Sequence, residues 1–266
     1  MEKKISFTER FKSPGPMLAA FALAMIVGSP VMASPVTFAQ YVQVDGSTQQ
    51  WAITGSGSPG TTTVDVSGQV YFTFSASAVP GAPSGPQTAT FTLIASSNSI
   101  GNCGVSCGPG DSLVQPGYTG TFSFIDESAG YVGDNLLSGT FAVTGIPGST
   151  GAQFSSSVGG SGASFNASAT AGNLLQLIFT SSFVNFTGAL DEDSSFSLSS
   201  LIPNFAVGTV NIGPPCCQAY PDGAFNAAGA GTFSDEVITP EPATLILIGG
   251  GLLGLGMLRR KRLSRS

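Results

Sequence analysis

The sequence predicts an all-β fold, an antiparallel β-sandwich of jelly-roll type, and three observations carry that expectation. Apolar residues alternate with Ser, Thr and Gln through many short runs, the period-two pattern of a strand with one buried face and one wet face. Gly and Pro cluster between the runs, where turns need positive or preset φ angles. Leu, Glu, Lys and Arg are thin through the centre of the chain, and no longer window there carries a helical apolar stripe. Many short strands punctuated in this way pack as facing sheets.

In chain order, strands are expected at residues 38–44, 50–54, 64–74, 88–93, 120–125 and 139–143, each alternating or apolar. Residues 174–179 and 183–186 are denser apolar runs, read as central strands meeting at Thr180-Ser181-Ser182. Further strands are expected at 195–198, 205–212 and 231–237. Turns are expected at Asp45-Gly46, Ser58-Pro59-Gly60, 79–86, Pro109-Gly110, Pro116-Gly117, Ile146-Pro147-Gly148, 159–162 and Pro221-Asp222-Gly223. The loop at 79–86 and the Gly/Ser-rich stretch 145–163 are the candidate boundaries, and one continuous domain over 34–238 is the preferred reading.

The two ends differ in kind from this body. Lys3, Lys4, Arg10 and Lys12 precede an apolar stretch from Met17 to Val27, and Val31-Met32-Ala33 offers small residues before Ser34. That order is a secretory signal peptide over 1–33, with cleavage between Ala33 and Ser34. The other end, 239–266, begins Thr239-Pro240-Glu241-Pro242, continues through sixteen uncharged residues at 243–258, and closes on Arg259, Arg260, Lys261, Arg262 and Arg265. Pro240 and Pro242 fix their own φ and bias Thr239 and Glu241 toward extended backbone, a shape suited to a processing cleft. As a transmembrane helix, 243–258 would span roughly 24 Å against a hydrocarbon core of about 30 Å, and the basic end would stay cytoplasmic.

This tail resembles the PEP-CTERM sorting signal of Gram-negative bacteria, with Pro240-Glu241-Pro242 as the motif, then the membrane segment, then the Arg-rich stop at Arg259, Arg260, Lys261 and Arg262. Thr239 stands where Val is commoner. The resemblance covers only 239–266. It implies recognition by an exosortase-type membrane protease-transpeptidase, transient residence in the inner membrane, removal of the tail, and release or attachment at the cell surface or in an exopolysaccharide matrix.

Charge then separates body from ends. All nine Lys and Arg lie at positions 3, 4, 10, 12, 259, 260, 261, 262 and 265, and there is no His, while twelve of the fifteen acids lie within 34–238. The body therefore carries a formal charge of −12 where the whole chain carries −6. Without Lys or Arg it cannot neutralise phosphates, so nucleic acid is excluded as its partner. Imidazole bases, His metal sites and Arg–carboxylate recognition are excluded as well, and no salt bridge can form inside the body. No cofactor is called for.

The candidate sites are few. Gly104-Val105-Ser106-Cys107-Gly108 matches a nucleophile pattern by letter but has no base to activate Ser106. Cys103, Cys107, Cys216 and Cys217 are even in number in an exported chain, so disulfides are expected. Cys103 with Cys107, or either of them with Cys216 or Cys217, stay open, and a bridge between adjacent cysteines would be strained. Four thiolates at this spacing do not suit zinc. Asp191-Glu192-Asp193 reads as a solvated turn, with a weak calcium site as the alternative, and no metal is assigned. Asp126/Glu127 and Asp191/Glu192/Asp193 are the carboxylates that a two-acid glycosidase would need. Trp51, Tyr71, Tyr118, Tyr131 and Tyr220 could stack on a sugar, although core packing is expected for Trp51 and Tyr71. The reading that follows is a non-enzymatic exported protein with a structural or adhesive role. A lectin-like module, with or without calcium, is the alternative.

Overall fold

The computed structural model describes residues 35–57, 60–103, 106–143, 151–168, 175–186, 192–211 and 218–235. All lie in the second of two compact units, Met1–Ser34 and Pro35–Ser266. Among the described residues thirteen strands run in order: β1 (Val36–Gln43), β2 (Trp51–Ser56), β3 (Thr62–Phe74), β4 (Gln87–Ser97), β5 (Gly101–Asn102), β6 (Ser112–Asp126), β7 (Asn135–Val143), β8 (Ala152–Ser157), β9 (Ala163–Ser168), β10 (Leu175–Thr180), β11 (Asp193–Ile202), β12 (Val207–Asn211) and β13 (Gln218–Asp235). Every pairing is antiparallel and all belong to one sheet.

The registers simplify this list. β1 and β2 both lie along β3 on one side and β13 on the other, so they are one stave interrupted by residues 44–50. β7 and β8 likewise share one edge of β6. β11 and β12 share one edge of β13, and β4 and β5 share the other edge of β6. β9 and β10 continue each other along β8 and β7. Five such pairs and the single strands β3, β6 and β13 make eight staves. Each stave pairs with its neighbours in the chain, and β13 returns to β1 and β2, so the sheet closes on itself as an up-and-down barrel.

The expected all-β antiparallel architecture is present, but its connections are a meander rather than those of a jelly roll. A jelly roll seats non-consecutive strands side by side, and here, apart from the two-residue β5 meeting the start of β13, the staves lie beside their neighbours in the chain. Closure also removes the long edges that an open sheet would have to protect.

An eight-stave barrel is just wide enough for side chains to fill, and this one is filled with aromatic rings. Tyr41, Phe91, Phe124, Phe196 and Phe233 come from five different staves. The Tyr41 ring lies 4.9, 5.1, 6.1 and 6.4 Å from the other four. Phe91 and Phe124 stack at 4.4 Å with planes 3° apart. Burying each such ring contributes roughly 1.5–3 kcal/mol, an upper estimate because the unfolded chain already hides some of that surface. Trp51 sits in the same core, fully buried, and a Cβ at Gly229 would meet its Nε1 at 2.4 Å, so β13 needs a glycine there.

The outer face is the inverse. Ser67, Thr92, Ser123 and Ser138 stand in one row across β3, β4, β6 and β7, with the Thr92 and Ser123 hydroxyls 2.8 Å apart. Apolar inside and hydroxylated outside is the reverse of a lipid-embedded barrel.

Four local expectations are corrected. Residues 183–186 are not a strand: Phe183 and Phe186 belong to an irregular segment that lays rings on Phe74, Phe38 and Phe179. Pro116-Gly117 is not a turn but a bulge inside β6, where the register to β8 slips between Gln115 and Tyr118 and Gly117 has φ 81°. Pro221-Asp222-Gly223 likewise lies within β13, at the passage from β12 and β5 to β2 as its partners. The stretch 145–163, a candidate boundary, contains β8.

Candidate functional site

Strand directions alternate around a meander, so β6, β10 and β13 end where β1, β4, β7 and β11 begin. Val36 pairs with Asp235 at this end, which places the entry and exit of the body side by side. It is the end from which the chain continues to residue 239.

Side-chain parity fills it with acids as well as rings. Asp126, Glu192, Ser194 and Asp235 are all buried, following the inward positions of Phe124, Phe196 and Phe233 at intervals of two. Asp193 pairs with Ser234, so the next step of the antiparallel ladder sets Glu192 opposite Asp235. Glu192 Oε1 accepts a hydrogen bond from the Phe179 amide of β10 at 3.2 Å. Around it Phe38, Phe179 and Phe186 pack with ring separations of 5.7, 5.3 and 5.4 Å. Burial pushes the Glu192 carboxyl up to about 7, against the pull of the Phe179 amide, and the charge of Asp235 adds to the rise. The expected solvated turn at Asp191-Glu192-Asp193 is thereby corrected at Glu192; Asp191 lies outside the described residues. Continuing the alternation backward from Phe196 to Ser194 and Glu192 is the sequence signal that would have found it.

The other acids separate. Asp126 is buried and its Oδ1 accepts from the Ser128 amide at 2.7 Å, whereas Glu127 turns outward and accepts from Gln69 Nε2 at 2.7 Å and from the Thr90 hydroxyl. Adjacent residues on opposite faces do not form a catalytic pair. Among the described residues no three His, Cys, Asp or Glu side chains come together to hold a metal ion.

At the opposite end, Cys103 and Cys107 form a disulfide, with Cα atoms 5.0 Å apart. Cys216 and Cys217 lie outside the described residues. Inside that loop the Ser106 hydroxyl donates to Asp111 Oδ2 at 2.7 Å, as do the amides of Ser106 and Gly108 at 3.2 and 3.0 Å. These bonds, the Ser106 hydroxyl foremost, hold the Asp111 carboxyl below its ordinary range, so it is no base for Ser106. The aromatic platform is dispersed: Trp51, Tyr118 and Tyr220 are buried, while Tyr71, expected in the core, and Tyr131 are each 40% exposed.

Ala33 and Ser34, and the tail residues Pro240, Glu241, Pro242, Arg259, Arg260, Lys261 and Arg262, lie outside the described residues. For the tail a comparison with known families speaks instead. A family model described as the PEP-CTERM protein-sorting motif matches residues 239–262. No curated protein and no solved structure matches the chain. The chain thus carries a PEP-CTERM sorting tail, which implies an exported protein sorted by exosortase, made as a membrane-anchored precursor and then processed.

Proposed function

We propose that the protein is a non-enzymatic building element of the cell surface or extracellular matrix, delivered through its tail and acting through the outside of its barrel. The observation that carries this reading is the inversion of polarity. The interior is occupied by packed rings, and the outer face offers registered rows of Ser and Thr. A body with no basic side chain has acidic and hydroxyl groups to present, which favours contact with polyhydroxylated material such as exopolysaccharide over phosphate-bearing partners. Its uniform negative charge keeps copies apart at low salt and lets them approach as salt or divalent cations screen it.

Delivery is tested by Glu241→Ala. The expected outcome is a precursor of full-tail mass retained in the inner membrane, read by fractionation and intact mass. Normal processing and release of that variant would contradict the assignment.

The second reading is a carbohydrate-binding module, supported by Tyr71, 40% exposed among the hydroxyl rows of β3 and β4. A glycan array with and without calcium separates the two: saturable binding lost in Tyr71→Ala favours the lectin, and its absence favours the structural role.

A further inference from the structure

On the outside of the barrel, β1 and β3 carry a stretch unlike the hydroxyl rows around it. Their register sets Gln40 opposite Thr73 and Val42 opposite Tyr71. These four side chains take the outer positions, alternating with the buried Ala39, Tyr41, Phe72 and Phe74. Val42 is 52% and Tyr71 40% exposed, so an apolar side chain and an aromatic ring stand together in water. Beside them the surface sinks into a hollow of about 290 Å³ lined by Thr37, Ala39, Gln40, Thr73, Phe74 and Ser75. A bulge bends its strand, and the register of β1 to β13 slips between Thr37 and Ala39, both of which line the hollow.

The chemistry of the strip is polar without charge. The hollow offers one carboxamide and three hydroxyls, and none of its lining side chains ionises. Thr37 shares its hydroxyl with Ser234 at 3.2 Å and Ser75 shares its own with Ser77 at 3.1 Å. Among the described residues the Gln40 amide and the Thr73 hydroxyl bond to no other group of the protein, which leaves a donor and acceptor pair open. On the other side of Tyr71 comes the rung of Gln69 and Thr90. Gln69 Nε2 and the Thr90 hydroxyl donate to the two oxygens of Glu127, so the carboxylate there is already engaged by the surface itself. From Gln69 to Thr73 the strip runs about 13 Å.

We propose that this strip binds an uncharged glycan chain, with one sugar lying on the Tyr71 ring beside Val42 and the next reaching into the hollow, where Gln40 and Thr73 meet its hydroxyls. The inference rests on the reading that the barrel contacts polyhydroxylated material, and it assigns that contact a place and a class of sugar. The class follows from charge. A body with twelve carboxylates and no Lys, Arg or His repels uronate or sulfate chains and has no cation to pair with them. A neutral sugar asks only for uncharged donors and acceptors and for an aromatic face against its C–H groups. Binding of that kind contains no ion pair, so salt leaves it unchanged.

The test uses the full chain in a detergent without a sugar headgroup. Its binding is measured to neutral gluco-, manno- and galacto-oligosaccharides, to chito-oligosaccharides with free amines and to oligogalacturonates, at about 0.05 M and about 0.5 M salt. The expected result is saturable binding of a neutral oligosaccharide, equal at both salt concentrations, with the oligogalacturonates unbound. Tyr71→Ala and Gln40→Ala should each weaken it roughly five- to tenfold, while Ser123→Ala, in the hydroxyl row of β6, keeps it. Both Tyr71 and Gln40 are exposed, so the thermal unfolding of these variants should match that of the wild type. Neutral-sugar binding that survives in both variants, or that falls equally in Ser123→Ala, overturns the strip and leaves the wider reading standing. A preference for acidic or amine-bearing chains overturns the class of ligand. Absence of binding across the whole panel overturns the strip together with the reading on which it rests.

Discussion

Away from the tail, the buried amide of Gln115 donates from Nε2 to the Thr62 hydroxyl and the Ser99 carbonyl at 3.1 and 2.9 Å, and its Oε1 accepts from the Tyr118 hydroxyl at 2.6 Å. At the tail end, the buried Glu192 carboxyl accepts from the Phe179 amide at 3.2 Å, and Asp235 is buried at the same end. Both ends bury polar groups without a single cation to pair with them. The far end does so with groups that do not ionise, or, in the case of Tyr118, with a hydroxyl that burial pushes still further from ionising. The tail end does so with Glu192, whose carboxyl burial pushes up to about 7. A barrel can thus be indifferent to acidity at one end and responsive at the other while sharing one core.

The sharpest way to break this contrast is to cut what the ends share. Phe196 lies within 6.1 Å of the rings of Tyr41, Trp51, Phe91, Phe122, Phe165 and Phe233. Phe196→Ala should cost about 3–5 kcal/mol in denaturant unfolding, and protection should fall at both ends together. Loss at one end alone would mean that the ends do not share a core. Gln115→Leu is expected to cost about 3 kcal/mol, because it strands the Tyr118 hydroxyl and its neighbours, with the same cost in acid and in alkali. A cost that varied between pH 5 and pH 8 would remove the distinction between the ends. Replacing Cys103 and Cys107 together by Ser opens a short loop and should cost at most about 2 kcal/mol by calorimetry, with no change in exchange at residues 230–235.

Much of this was legible in the residues themselves. Val64, Val66, Val70 and Phe72 alternate inward along β3 as their spacing predicts, and Asp45 accepts from the Ser47 amide at 2.9 Å in the turn expected at Asp45-Gly46. What could not be read was set by distant partners. Closure depends on β13 finding β1 across the whole body, which no local pattern encodes. Phe183 and Phe186 have the composition of a strand and the backbone of a loop, because a ring can reach the core from either. Pro116-Gly117 and Pro221-Gly223 carry the letters of a turn, yet both lie inside long strands, Pro116-Gly117 as a bulge and Pro221-Gly223 where β13 changes partners. The burial of Glu192 was hidden for the same reason: acidity suggests water, and only the parity of its strand says otherwise. The sorting motif was legible because its recognition lies in its order of residues over 239–262 and needs no fold.

The pairing of Val36 with Asp235 has a geometric corollary. A body whose first and last residues emerge together hangs from whatever holds its final residue by a single stem. Every copy attached in that way points the same pole outward, the one bearing the Cys103–Cys107 loop, and a carpet of such molecules would be uniformly oriented without any contact between them.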